Sequence, residues 1–93
     1  MNVMLVEPWG EALDLRLLAE SDGLLYHGEY TPGEFTTRVD SATDSLPELA
    51  ELVVESFPGF FTKEWLSKPI EMCVLSCHQH NGIKYQACFR HAP

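Results

Sequence analysis

Met72-Cys73-Val74-Leu75-Ser76-Cys77-His78-Gln79-His80-Asn81-Gly82-Ile83-Lys84-Tyr85-Gln86-Ala87-Cys88-Phe89-Arg90-His91 is the stretch that decides the fold. Asn-Gly is a strong hairpin signal, because a two-residue type I′ turn needs positive φ at both central positions. With Asn81-Gly82 as the loop, His80 faces Ile83, His78 faces Tyr85, Ser76 faces Ala87, Val74 faces Phe89 and Met72 faces His91. That face is mostly apolar. The reverse face then sets Cys73, Leu75, Cys77 and Gln79 against Arg90, Cys88, Gln86 and Lys84. The spacing predicts two antiparallel strands with one buried side.

Upstream lies the clearest helix. Ser45 with Glu48 three residues later is a capping-box pattern, and Pro47 is harmless in a first turn whose N–H groups have no intrahelical partner. Leu46, Leu49, Ala50, Val53 and Phe57 recur at helical spacing, and Pro58-Gly59 ends the run. Glu48, Glu51 and Glu55 occupy the opposite side. Between helix and hairpin, Thr62–Ser67 reads as one helical turn stopped before Pro69.

Further toward the N-terminus, Asp22-Gly23 predicts a second type I′ hairpin, with strands at about 12–20 and 24–31. Leu13, Leu15, Leu17 and Ala19 would share its apolar face, and Arg16 would oppose Glu29. Helix is the rival reading for Glu11–Glu20. Pro32-Gly33 suits a type II turn, and Phe35-Thr36-Thr37-Arg38-Val39 a further strand. The pattern as a whole predicts an α+β fold. It is a single antiparallel sheet of about five to six strands, with two I′-type hairpins and one main helix packed on it. Ninety-three residues make one compact domain, 1–93.

Cys73, Cys77, His78, His80, Cys88 and His91 crowd together in sequence, as zinc ligands do. In strands they splay apart. Cys73 and Cys77 would lie about 13 Å apart along one strand, whereas sulfurs on one zinc are within about 4 Å. His78 and His80 point away from the cysteines. No metal site and no cofactor are therefore expected, and a metal- or redox-responsive module built on Cys73, Cys77, Cys88, His78 and His80 is the alternative. Cys77 and His78 diverge for the same reason, so no thiolate–imidazole pair forms between them. The motifs of phosphate-binding loops, dinucleotide folds, zinc proteases and serine hydrolases do not occur. A non-enzymatic protein is expected.

Fourteen acidic residues against six basic ones give a net charge of −8, which disfavours direct nucleic-acid binding. The asymmetry is internal: residues 1–62 carry twelve acids and two bases, residues 63–93 two acids and four bases. Solubility accounts for part of such an excess. The functional alternative is a rigid acidic face, formed by Glu48, Glu51, Glu55, Asp40, Asp44, Glu29 and Glu20, that docks on a basic protein surface. Such a face imitates the phosphate array of a nucleic acid. An inhibitor or adaptor results, of the kind that phages and mobile elements use against host defence. Trp9, Phe60, Phe61 and Trp65 either close the core or form an aromatic interface, for a homodimer or for an obligate complex of which the chain is a small subunit. Met1–Val6 has no basic leader and no run reaches the ~20 apolar residues of a membrane span, so a cytoplasmic protein with reduced thiols is expected.

Overall fold

In the computed structural model, residues 1–10, 13–20 and 32–93 are described throughout, and 26–28 through their backbone. The C-terminal hairpin is present as β4 (Ile70–Gln79) and β5 (Gly82–His91). It is joined by β1 (Val3–Leu5), β2 (Tyr26–Gly28) and β3 (Phe35–Ser41) in one sheet of order β1-β4-β5-β3-β2. The main helix is α2 (Leu46–Ser56), a short helix α1 spans Leu15–Glu20, and Trp65–Ser67 form a 3₁₀ turn. The architecture is α+β, with one sheet and one main helix.

α2 forms where its caps direct. The Ser45 hydroxyl accepts from Glu48 N at 3.4 Å, and Thr43 Oγ1 donates to the Glu48 carboxylate at 2.8 Å while accepting from Ser45 N at 3.0 Å. Thr43 thus bridges the two halves of the capping box. α2 lays Leu49, Ala50 and Val53 on one sheet face, where Ala50 and Val53 join Phe35, Phe61, Ile70, Met72, Ala87 and Phe89 in the main core. A smaller cluster of Leu49, Ile83 and Tyr85 continues it.

Three sequence expectations are corrected. The sheet is mixed, because β1 runs parallel to β4 with Val3 beside Ile70 and Leu5 beside Met72. The sequence reading did not identify β1. The strand expected at 12–20 is helical from Leu15. Asp14 Oδ1 accepts from Arg16 N at 2.8 Å and from Leu17 N at 3.4 Å, an N-cap that starts the helix. Leu15 and Leu17, counted as inward by alternation, are exposed, and Leu18 is the buried residue. Of the partner strand at 24–31, the described part is β2, which pairs with β3 (Tyr26 beside Arg38). Asp22-Gly23 and Glu29 lie outside the described residues, and Arg16 sits 3.7 Å from Asp14.

The third correction is one of register. Gln79 pairs with Gly82, so the turn residues are His80-Asn81, and every pairing is displaced by two from the expected one. Neither turn residue has positive φ, so the turn is not type I′. Glycine is needed one step later. Gly82 has φ +150°, and a Cβ there would sit 2.7 Å from the Ser41 carbonyl oxygen of β3. A slip of two preserves the alternation of faces, so Met72, Val74, Ala87 and Phe89 share the α2 side as expected, while their partners change.

β5 is the middle strand and is buried along most of its length. Its second face carries Lys84, Gln86, Cys88 and Arg90, opposite Cys77, Leu75, Cys73 and Glu71 of β4. α1 packs there, with Gln86 Oε1 accepting from Asp14 N at 3.3 Å. Trp9 covers the same side, its ring 4.0 Å beneath the Arg90 guanidinium, which also binds Glu71 at 3.0 Å.

Candidate functional site

The acidic residues named from sequence divide between two sides of the sheet. Glu48, Glu51 and Glu55 are exposed along α2, with exposed Asp44 just before its cap. Carboxylates three and four residues apart on a helix are neighbours at about 5–6 Å between Cβ atoms. Among the described residues, none of the three helix carboxylates makes an ion pair. Asp40 is exposed on β3 in register with Lys84, on the side away from α2. Glu20 is exposed at the end of α1, on that same far side. The structure therefore brings Asp44, Glu48, Glu51 and Glu55 together and sets Asp40 and Glu20 apart from them.

The aromatic residues do not form one patch. Phe61 is 4% exposed, with its ring 5.1 Å from Phe35 and 5.3 Å from Phe89. Phe60 and Trp65 pack half-buried against it, and Trp65 stacks on His91 at 4.1 Å, with His91 Nε2 2.7 Å from the Trp65 carbonyl. These rings close the core beneath β5. Trp9 lies across the sheet from them, against Arg90.

The cysteines are separated into a pair and a single. In the observed register Cys73 lies directly opposite Cys88, a juxtaposition that the expected register had replaced by Cys73 opposite Arg90. Both are buried, and Thr36 Oγ1 on β3 donates to Cys88 Sγ at 3.1 Å. A hydrogen bond from the opposing Cys73 thiol, with that from Thr36, draws the Cys88 thiol below its ordinary range against the opposing effect of burial. Serving as donor in that bond, together with burial, pushes the Cys73 thiol well above the ordinary thiol range, while the Trp9 backbone N–H and the Arg90 charge act in the opposite direction. Cys77 is half-buried opposite Lys84, and exposed His78 points to the α2 side of the sheet. Among the described residues, no three His, Cys, Asp or Glu side chains converge as metal ligands.

Sequence reasoning missed the Cys73–Cys88–Thr36 row. The signal was in the chain, since placing the turn at His80-Asn81 makes Cys73 face Cys88, but Asn-Gly favoured the other loop. An apolar groove of about 340 Å³ was also missed, lined by Val3, Leu5, Leu46, Ala50, Glu51 and Met72 between β1 and α2. Among the described residues, no helix is long and apolar enough to cross a membrane. No known protein family, curated protein or solved structure matches the chain.

Proposed function

We propose that the chain is a small, non-enzymatic interaction protein, an inhibitor or adaptor that sets the carboxylates of α2 on a basic surface of a partner protein. The observation that carries this reading is the exposed row Glu48, Glu51 and Glu55 on a capped helix, without ion-pair partners among the described residues. A packed helix holds its carboxylates at fixed spacing, as a nucleic-acid backbone holds its phosphates. A protein surface built to bind phosphates would meet the same charge pattern. An inhibitor of a nucleic-acid-handling system, carried by a phage or mobile element, is the concrete form. Asp44 extends the row, whereas Asp40 and Glu20 act only through the general negative field.

The test compares three forms of the chain on an affinity matrix with extract of the native host: the natural protein, a variant with Glu48, Glu51 and Glu55 changed to Lys, and a variant with Glu7, Glu20 and Glu64 changed to Lys. All six residues are exposed, and the two variants change charge equally. A partner of the proposed kind is retained by the natural protein and the second variant, is lost with the first, and is released by salt and by a competing DNA duplex. Screening within about 8 Å at physiological ionic strength makes the salt release steep. Equal retention by all three forms would exclude the α2 row as the interface.

A further inference from the structure

We infer that Cys73 and Cys88 are a redox-active thiol pair that closes a cross-strand disulfide when a hydroperoxide oxidises Cys88. The two residues are direct partners across the β4–β5 ladder. Ala92 N donates to Pro69 O at 2.9 Å, and hydrogen-bonded pairs alternate along an antiparallel ladder, so 69/92, 71/90 and 73/88 are the hydrogen-bonded positions. Cα atoms at such positions are about 5.5 Å apart, inside the roughly 4.4–6.8 Å that a disulfide spans. Cβ atoms directly opposite each other lie about 4.5–5.5 Å apart, toward the wide end at hydrogen-bonded positions. A local approach of about 1 Å between the two strands therefore brings them to the roughly 3.5–4.5 Å of a disulfide.

The surroundings are not those of cysteines that merely fill an apolar core. Main-core residues lie on the α2 side, whereas the row that holds this pair continues into Thr36, whose hydroxyl donates to Cys88 Sγ at 3.1 Å. The neighbouring cross-strand rows bring in Gln86 and Arg90. Donors aimed at a sulfur favour its thiolate, which is the nucleophilic form. Cys73, directly opposite, is placed to donate a hydrogen bond to the Cys88 sulfur and, once Cys88 is oxidised, to attack it. Cys77 cannot take that role, because it stands four residues along β4, about 13 Å from Cys73.

The chemistry balances with the peroxide as sole oxidant. The Cys88 thiolate attacks one peroxide oxygen, the O–O bond breaks, and the departing alkoxide or hydroxide takes up a proton, leaving Cys88 as a sulfenic acid. The Cys73 sulfur then attacks the Cys88 sulfur. The S–S bond forms, the S–O bond breaks, and the hydroxide leaves as water with the Cys73 proton. Two thiols lose two electrons and two protons, and the peroxide is reduced to an alcohol, or water, plus water. Both thiols are buried on the face of β4 and β5 that α1 packs against, so the peroxide reaches Cys88 when that short helix opens.

The test oxidises the reduced full-length chain with hydrogen peroxide, then unfolds it, titrates its thiols and maps the linked peptides by mass spectrometry. The expected result is a fall from three free thiols to one, with Cys73 and Cys88 linked within one chain and Cys77 free. Cys73→Ser leaves a sulfenic acid on Cys88 that dimedone traps, and Cys77→Ser forms the link at the natural rate. The inference is overturned if all three thiols survive, if the link involves Cys77, or if Cys88 is over-oxidised in the natural chain without any link. The mapping of the unmutated protein decides the matter even where a serine variant fails to fold.

Discussion

Gly82 shows how one residue carries a constraint from three strands. It begins β5, pairs with Gln79 of β4, and has the β3 carbonyl of Ser41 where a Cβ would stand. Gly33 also has positive φ, at +86°, but nothing lies within 4 Å of its missing side chain. Gly82→Val adds a steric collision to backbone strain, and the collision is with backbone that cannot rotate away. The expected loss is on the order of 3 kcal/mol, against about 1–2 kcal/mol for Gly33→Ala. Denaturant titration of both variants measures this, and equal losses would mean that β3 does not press on Gly82.

At the scale of elements, α1 is a six-residue helix, too short to persist by propensity. Its existence depends on the Asp14 cap and on Leu18 packed against the sheet. Hydrogen bonds from Arg16 N and Leu17 N hold the Asp14 carboxyl below its ordinary 3.8. A carboxyl depressed on folding contributes stability above its unfolded value, and that contribution fades as the pH falls through the folded one. Asp14→Ala is expected to lower Tm at neutral pH, and Asp14→Asn, which keeps an acceptor, to lower it less. The gap between the natural protein and Asp14→Asn should close as the pH drops below 3.8, read from Tm across an acid series. A gap that stays constant down to the acid limit would show that the charge on Asp14 contributes nothing.

For the whole molecule, a net charge of −8 on 93 residues repels itself in the folded state, where the charges are closest. Raising salt from about 0.01 M to 0.15 M shortens the screening length from about 30 Å to 8 Å. Tm should rise over that interval. The Glu48, Glu51 and Glu55 reversal removes like charge from α2 and should flatten the rise without unfolding the protein, since all three side chains are exposed. A scan of Tm against sodium chloride for both proteins tests this. A rise of equal slope in the two would place the repulsion in the acids distributed elsewhere.

Much of this arrangement was legible in the order of residues. The capping pattern at Ser45, the helical spacing from Leu46 to Phe57 and the alternation of β4 and β5 are local, and local hydrogen bonding and burial enforce them. Alternation reports which face a side chain takes, and it survives a slip of two residues. It does not report which residue lies opposite. That choice belonged to β3, whose Ser41 carbonyl admits only glycine at the start of β5, and the resulting register placed Cys73 against Cys88. The leucines of 13–18 were misread for a related reason. Period-two spacing counted Leu15 and Leu17 as inward, but the second face of the sheet had to be covered, and a capped helix does so with Leu18. By itself the sequence determined the class of fold, the acidic row on α2 and the sidedness of the hairpin. Only the tertiary structure decided the partners, because pairing between strands distant in sequence depends on packing that no local pattern encodes.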